Sequence, residues 1–291
     1  MSIMKICALT MVYRDYWALA QWYRHYSRHL GEENLFIVSH GADPEIARIC
    51  PSASIITVPR DDLEHFDRRR TEMLNGFQLG LANIYDWVIR TDADELICLN
   101  PHLHSGFPDL FSKHQTSALF ALGLNVAEGE EDPPCGPDEP VLLTRKAAVF
   151  TPNYSKAFAV RGRAGLKLHG VQLRPRHVKR FALVMPRGVY MAHLKYANTQ
   201  ALSDSYSHRR EMATIEGKGL PGPAWANPGA DSRRFFQQLL ALPERPWEEA
   251  EAEAYALYPS DPIREPERGV VRIRRDQPKI RTRLPDWFRS A

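Results

Sequence analysis

The chain has 291 residues, enough for one large α/β domain or two smaller ones. Hydrophobic residues make up 44% and charged residues 25%, which excludes disordered and fibrous proteins, and the net charge of +3 is too small to indicate nucleic acid as the main partner. The four cysteines form no C-x-x-C pair, so we expect reduced thiols. The N-terminus has no signal-peptide pattern and no apolar run is long enough for a membrane span, which together favour a cytoplasmic protein.

The first hundred residues alternate between short apolar runs and amphipathic segments. The runs predict strands at 5–12, 34–39, 54–58 and 87–91. The segments predict helices from the N-cap Asp15 to Gly31, at 44–49 and at 67–82. This alternation predicts an α/β fold with a doubly wound, parallel sheet, and ligands at the carboxyl ends of its strands.

The rest of the chain predicts a mixed second half and a helical C-terminal region. Strand-like runs lie at 118–126, 156–161, 168–173, 181–185 and 188–195. The acidic, proline-rich segment 128–140 has the length of a lid or binding loop, although a plain surface loop explains it equally well. Helices are predicted at 199–216, 232–242 and 246–258, before an arginine-rich tail at 271–289 that contains Trp287 and Phe288.

Two carboxylates follow the fourth predicted strand directly, in the sequence D-A-D-E of Asp92 to Glu95. Paired carboxylates in such a place are costly unless they face water or a cation. Mg²⁺ or Mn²⁺ takes one or two carboxylates and completes its shell with water and phosphate oxygens, which indicates a nucleotide diphosphate substrate. The alternative is a solvated acidic turn that caps a helix near Leu96.

A second polar group lies on the last predicted strand. Alternation places Val189, Met191, His193 and Lys195 on one face of the strand, so that an imidazole and an ammonium follow two apolar side chains. His193 would suit a metal and Lys195 a phosphate. The alternatives are a hydrogen-bonded structural histidine and a solvent-facing lysine.

These motifs together resemble the family-2-like glycosyltransferases of the GT-A fold, in particular a bacterial group with D-x-D-E and a late H-x-K. The resemblance spans roughly residues 3–200 and rests on L-T-M-V-Y-R-D at 9–15, W-V-I-R-T-D-A-D-E at 87–95, S-K-A-F-A-V-R at 155–161, L-H-G-V at 168–171 and H-L-K-Y at 193–196. Arg14 and Asp15 depart from the Asn-Glu that many relatives carry after the first strand.

The resemblance implies a GT-A, Rossmann-like domain over 1–197, with a mostly parallel central sheet flanked by helices. Its nucleotide-sugar half would be 1–100 and its acceptor half 101–197, followed by a helical extension at 198–291 with a basic tail. The implied activity is that of a metal-dependent, inverting, hexosyltransferase-like enzyme. It would transfer a sugar from a nucleotide-diphosphate donor to a hydroxyl of a carbohydrate or glycolipid, in polysaccharide or glycoconjugate synthesis. The implied cofactor is Mn²⁺ or Mg²⁺.

The resemblance also implies roles for single residues. Asp94 and His193 would bind the metal. Thr10 and Tyr13 would contact the base and ribose of the donor substrate, and Arg70 its base or diphosphate. Asp92 would contact the ribose or a metal-bound water, and Lys195 a phosphate. The candidates for the catalytic base are Glu139 and His169, ahead of Asp132 and Asp138.

Three other interpretations fit parts of the sequence. Asp92 and Asp94 could serve a phosphohydrolase as nucleophile and acid/base, although that motif normally follows the first strand. The same scaffold could be a non-catalytic module that binds a nucleotide sugar or a protein. The basic tail could contact an anionic membrane surface at the inner membrane face, or be a solvated extension or an oligomer arm.

Overall fold

The N-terminal half of the protein is built around four parallel strands. The structure is a computed structural model that describes residues 4–207 and 227–290. The strands β1 (Ile6–Val12), β2 (Leu35–His40), β3 (Ser54–Val58) and β4 (Trp87–Arg90) lie in the order β3-β2-β1-β4. The helices that connect them are α1 (Tyr16–Leu30), α2 (Pro44–Ile49) and α3 (Phe66–Leu81). All seven elements were predicted from sequence, within one or two residues at most ends.

Helices cover both faces of this sheet because β1 is apolar on both sides. Ala8 and Val12 belong to the main core, together with Trp22 of α1. Leu9 on the other face packs in a separate cluster with Leu74 of α3. Burial on both faces is what a near-continuous apolar strand requires.

The second half of the chain extends the same sheet with strands in both directions. Its elements are β5 (Glu95–Leu99), α4 (Phe107–Ser112), β6 (Ala118–Ala127), α5 (Val141–Thr144), β7 (Ala147–Phe150), β8 (Lys156–Val160), β9 (Gly165–Lys167), β10 (Gly170–Gln172), α6 (Pro175–Val178) and β11 (Val189–Tyr196). β8 joins β4 to β6 through antiparallel pairings, while β11 runs parallel to β6 and antiparallel to β5. The carboxyl ends of β4, β6 and β11 therefore lie close together.

The C-terminal segment combines helices with added strands. Its elements are α7 (Thr199–Asp204), α8 (Pro228–Ala241), β12 (Glu244–Arg245), α9 (Trp247–Leu257), β13 (Ile263–Glu265), β14 (Val270–Arg272) and β15 (Ile280–Arg283). β12 and β15 extend the central sheet beyond β7, whereas β13 and β14 join β10 and β9 in a separate four-stranded sheet. The predicted fold class is confirmed, since helices flank a large central sheet that is parallel through its N-terminal half.

Several element predictions differ from the structure. Residues 181–185 contain no strand, and Leu96 lies in β5 rather than near the start of a helix. In the predicted strand 168–173, Leu168 and His169 instead form the turn between β9 and β10. The helix predicted at 199–216 is present as α7, and its part beyond residue 207 lies outside the described residues. No helix in the described part of the chain is long and apolar enough to cross a bilayer.

Candidate functional site

Aromatic and cationic side chains meet where β1, β2 and β3 end. The guanidinium of Arg60 lies 3.6 Å from the centre of the Tyr13 ring and donates to His40 Nδ1 at 3.1 Å. The His40 ring stacks on Phe66 with centroids 4.9 Å apart. Burial, aided by the charges of Arg60 and Arg70, lowers the pKa of His40 to about 4, so His40 is neutral at physiological pH. This aromatic cluster offers flat surfaces on which a planar ring could stack.

The D-A-D-E segment forms a tight turn between β4 and β5. The backbone N–H of Glu95 donates to the carbonyl of Asp92 at 3.1 Å, and the N–H of Asp92 donates to the Glu95 carboxylate at 3.0 Å. Leu194 N–H donates to the Asp94 carbonyl at 2.8 Å, which fastens the turn to β11. The turn therefore holds three carboxylates at the edge of the sheet, on a rigid frame.

Cations from two other elements neutralise two of these carboxylates. Arg70 of α3 forms an ion pair with Asp92, and Lys156 of β8 lies 2.6 Å from Glu95 and 3.8 Å from Asp92. Burial alone would raise the pKa of Asp92, but Arg70 and Lys156 outweigh it and hold the pKa well below its usual value. Burial raises the pKa of Glu95 to about 7, against the opposing charge of Lys156. Asp92 and Glu95 are thus committed to cations of the protein itself.

Asp94 faces a histidine instead. Its Oδ2 lies 3.2 Å from His193 Nε2, and the His193 ring is buried. His193 Nδ1 donates to the amide oxygen of Asn125 at 2.7 Å, which leaves Nε2 to face Asp94. Burial lowers the pKa of His193, although Asp94 opposes that shift. The two atoms lie at hydrogen-bond distance, and a proton or a cation between them would stabilise this arrangement.

The His193 ring is held from its other side by Tyr154, which stacks on it with centroids 3.6 Å apart. This contact depends on Gly123 of β6, because a Cβ atom there would lie 2.0 Å from the carbonyl carbon of Tyr154. Gly123 N–H also donates to Ser155 Oγ at 2.9 Å. A glycine in the strand thus lets the 154–155 segment approach closely enough to fix the histidine.

The donor atoms of this pair fit a hard divalent cation. Two ligands at right angles on a cation with bonds of about 2.1 Å lie about 3 Å apart, which agrees with the 3.2 Å between Asp94 and His193. Oxygen atoms of Asp92, Asp94 and Glu95 also lie within 4.8 Å of one another. Asp92 and Glu95 are paired with Arg70 and Lys156, whereas Asp94 faces His193, so Asp94 and His193 could hold such a cation. The remaining positions would be left to water and substrate oxygens.

His169 lies at the tip of the hairpin between β9 and β10. Leu168 and His169 both have positive φ values, 53° and 63°, as a two-residue hairpin turn requires. Such a conformation is strained for residues other than glycine, and strain of this kind is common at functional sites. His169 Nδ1 donates to the Asn153 carbonyl at 2.7 Å, so Nε2 is the acceptor nitrogen of the neutral ring.

His169 stays neutral at physiological pH because of its surroundings. The side chain is exposed at the surface, and Lys156 and Arg275 lie near it. Desolvation there, together with the charges of Lys156 and Arg275, lowers its pKa to about 3, against a smaller effect from Asp92. His169 is therefore placed on the same side of the site as Asp92 and its cations.

Three other predicted residues lie in positions that do not favour the roles predicted for them. Thr10 is fully buried and its hydroxyl faces the interior, so its contact with a nucleotide stays a prediction that this position does not favour. Lys195 lines a small pocket with Asp94 but forms an ion pair with Asp231 at 2.6 Å, so its charge is already balanced. The Glu139 carboxylate accepts the Gly136 N–H at 2.8 Å within its own turn.

The remaining acidic base candidates lie in the same loop as Glu139. Asp132 caps the Gly129 N–H at 2.8 Å in a similar way. Asp138 is fully exposed and lies 3.9 Å from Arg24. Of the four base candidates, only His169 interacts with the residues around Asp92.

The structure adds residues that the sequence interpretation missed. His40 is the last residue of β2 and Arg60 follows β3, so the rule that ligands bind at strand ends could have found them. Lys156 lies in the recognised 155–161 segment, but nothing in the sequence pairs it with Glu95. Arg275 belongs to the arginine-rich tail, and its charge acts on His169 and Tyr154.

The aromatic pair of the tail packs inside the protein. Phe288 is fully buried, with ring centroids 5.4 Å from Tyr190 and 5.3 Å from Trp247, and Trp287 stacks on Phe288. Phe288 is therefore not available to a membrane interface, whereas Trp287 is half-buried.

Comparisons with known proteins give little beyond these observations. No protein-family model matches the chain, and no curated protein matches it. Among solved structures, it is similar to a mannose-1-phosphate geranyltransferase from Thermus thermophilus, with 11% identity, a TM-score of 0.29, and coverage of 97% of this chain and 74% of the other. It is also similar to a CMP:2-keto-3-deoxy-manno-octonic acid synthetase complexed with CTP, with 12% identity, a TM-score of 0.27, and coverage of 81% and 87%. Functional inference therefore depends on the geometry of the site.

Proposed function

We propose that the protein is a metal-dependent glycosyltransferase that moves a sugar from a nucleotide-diphosphate donor to a hydroxyl acceptor, with inversion. The observation that carries the proposal is the 3.2 Å approach of Asp94 to His193 beside Arg70 and Lys156, at the carboxyl ends of the strands. One edge of the sheet thus combines a hard-cation site with fixed positive charges. That combination suits a diphosphate leaving group.

The residues around the acidic turn would bind the donor. Tyr13 and Phe66 offer ring faces for the base, with Arg60 and His40 between them. Arg70 and Lys156 flank Asp92, and Arg275 lies near His169; these three cations would face the phosphates. Mn²⁺ or Mg²⁺, held by Asp94 and His193, would supply charge stabilisation for the departing diphosphate. Because the protein cations are already in place, the site needs little reorganisation as that charge develops.

His169 would take the proton from the acceptor. Its Nε2 is a lone-pair acceptor, since Nδ1–H is committed to the Asn153 carbonyl. The acceptor oxygen forms a bond to the anomeric carbon as the bond to the diphosphate oxygen breaks, and the hydroxyl proton passes to Nε2. A bound diphosphate would offset Lys156 and Arg275 and so raise the pKa of His169 toward the range of an effective base.

The metal role is tested by Asp94→Asn, with Asp286→Asn as the matched control on an exposed carboxylate. We expect Asp94→Asn to lower sugar transfer at least about 100-fold and to abolish its dependence on Mn²⁺, while Asp286→Asn keeps wild-type activity. The assay screens nucleotide sugars with Mn²⁺, Mg²⁺ or chelator. Full turnover by Asp94→Asn in chelator would contradict the proposal.

The same assay separates the other interpretations. Nucleotide sugars that bind but are neither transferred nor slowly hydrolysed would favour a binding module. Release of phosphate from simple phosphate esters would favour a phosphohydrolase.

The role of His169 is tested by His169→Gln, compared with His177→Gln on an exposed histidine outside the site. We expect kcat to fall about 100-fold or more for His169→Gln, with a smaller change in KM, because general-base catalysis contributes about that much. The acidic limb of the kcat profile should also disappear. An unchanged profile would leave His169 with a structural role.

A further inference from the structure

A run of basic residues lies outside the candidate site. The segment 174–180 reads R-P-R-H-V-K-R, with five basic residues in seven and no acidic one. Arg176, His177, Lys179 and Arg180 are exposed around α6 and line one wall of a cleft of about 960 Å³. Lys113 and His114, which follow α4, also line this cleft.

The charge of this basic cleft is largely uncompensated. None of its described lining residues is acidic. Lys113 is paired with Asp109 at 2.7 Å, but Arg176, Lys179 and Arg180 form no ion pair with a described carboxylate. Arg176 Nε donates to His177 Nε2 at 3.0 Å, which holds these two side chains together. Three positive charges therefore remain together in one concave surface.

The basic wall is held in place by the core. Val178 is fully buried between the exposed cations. Arg264 of β13 donates to the carbonyls of Val178 and Phe181, both at 2.8 Å. Phe120 N–H of β6 donates to the Val184 carbonyl at 2.9 Å. The cations thus lie on an anchored segment, so that binding of a ligand costs little conformational entropy.

The cleft lies at the opposite end of the sheet from the acidic turn. Ser117 and Thr116 line it just before β6, whereas Asn125, which holds His193, lies near the carboxyl end of the same strand. Seven residues of strand separate Asn125 from Ala118, or roughly 23 Å at the usual rise. The basic cleft and the candidate site are therefore separate.

We propose that the basic cleft is a second binding site, for a small ligand that carries clustered phosphate groups. The size of the cleft favours a small molecule, because its volume of about 960 Å³ is that of a ligand pocket. Leu173, Phe181 and Val184 add apolar surface for an organic part of the ligand. Arginine and lysine supply the donors that phosphate oxygens need.

The test measures binding of inorganic pyrophosphate to the full-length protein by calorimetry in chelator. The variant combines Arg176→Gln, Lys179→Gln and Arg180→Gln. The matched control combines Arg233→Gln, Arg234→Gln and Arg283→Gln, which removes the same charge from exposed arginines away from the cleft. We expect the cleft variant to weaken binding at least about tenfold, and the control to change it less than about twofold.

Hydrogen exchange locates the binding. Pyrophosphate should slow amide exchange at 113–117 and 173–184 in the wild type and in Asp94→Asn, but not in the cleft variant. Because Asp94→Asn tests the proposed catalytic function, retained protection there separates the two proposals.

Two outcomes would overturn the second site. One is equal pyrophosphate affinity in the cleft variant and the wild type. The other outcome combines two results. The wild type, but not the cleft variant, sediments with vesicles of phosphatidylcholine and phosphatidylglycerol, and free pyrophosphate causes no protection at the cleft. That result would assign the cations to a membrane surface instead.

Discussion

At the scale of single residues, the site depends on how buried carboxylates are neutralised. Glu95 is fully buried, and the cation beside it is Lys156, which is also buried. The sequence places Glu95 next to Asp94 but gives no sign of Lys156 as its partner. Because a buried charge without a partner is costly, removing the lysine should affect stability as well as activity.

We predict that Lys156→Met lowers the free energy of unfolding by about 3 kcal/mol at neutral pH. The loss should be smaller at pH 5, since burial already raises the pKa of Glu95 to about 7 and the carboxyl then takes up a proton. Urea denaturation at both pH values measures this difference. Lys156→Met with Glu95→Gln should recover most of the stability, and an equal loss at both pH values would contradict the assignment.

Gly123 is a second single-residue determinant. We predict that Gly123→Ala destabilises the protein by about 1–3 kcal/mol, because its Cβ would lie 2.0 Å from the Tyr154 carbonyl carbon. Gly80 in α3 is the control, since a Cβ there meets nothing within 4 Å. Gly80→Ala should leave stability unchanged or raise it slightly. Thermal unfolding compares the two, and equal melting temperatures would rule out the close approach.

At the scale of elements, α1 is a buried helix that carries a titratable group. His25 is buried on its inner face, and its Nε2 donates to the Ile97 carbonyl of β5 at 3.0 Å. Burial, with the nearby charges of His29 and Arg28, lowers the pKa of His25 to about 3. The unfolded chain binds this proton near pH 6.5, so acid favours unfolding.

We predict that His25 makes the protein less stable as the pH falls from about 6.5 to about 3, by up to roughly 1.4 kcal/mol per pH unit. His25→Gln should flatten the dependence of the unfolding free energy on pH in that window. His102→Gln, on an exposed histidine, is the control and should leave the slope unchanged. Chemical denaturation at several pH values measures the slopes. Parallel curves for wild type and His25→Gln would disprove the prediction.

The position of the acidic loop 128–140 also depends on contacts between elements. Its sequence predicts a loop, and the structure fastens that loop through the buried Arg145. Arg145 donates to the carbonyls of Ala197 and Pro133 at 2.6 and 2.7 Å, and it lies 2.7 Å from Glu128. The loop is therefore attached to the end of β11.

At the scale of the whole molecule, the C-terminal segment completes the fold. β15 pairs with β7 in the central sheet, and β14 pairs with β10 in the smaller sheet. Phe288 closes the core beside Trp247 of α9. The predicted division between a domain at 1–197 and an extension at 198–291 stays a prediction, although the extension shares both sheets with the preceding residues.

We predict that Phe288→Ala lowers the free energy of unfolding by about 3–5 kcal/mol, as expected for a fully buried aromatic side chain. Arg289→Ala is the control on the adjacent exposed residue and should change stability by less than about 0.5 kcal/mol. Denaturant titration distinguishes them. A neutral Phe288→Ala would mean that the tail is dispensable for the core.

The sequence by itself determined the parallel half of the sheet and its helices, because hydrophobic periodicity is a local property that survives without knowledge of contacts. It also determined where the acidic turn lies, since the turn directly follows a buried strand. Only the tertiary structure decided which partner each carboxylate meets. Arg70 and Lys156 come from distant parts of the chain and neutralise Asp92 and Glu95, while Asp94 meets His193. Short mixed strands such as β5 and β7 were likewise missed, because their pairing partners, rather than their own residues, stabilise them.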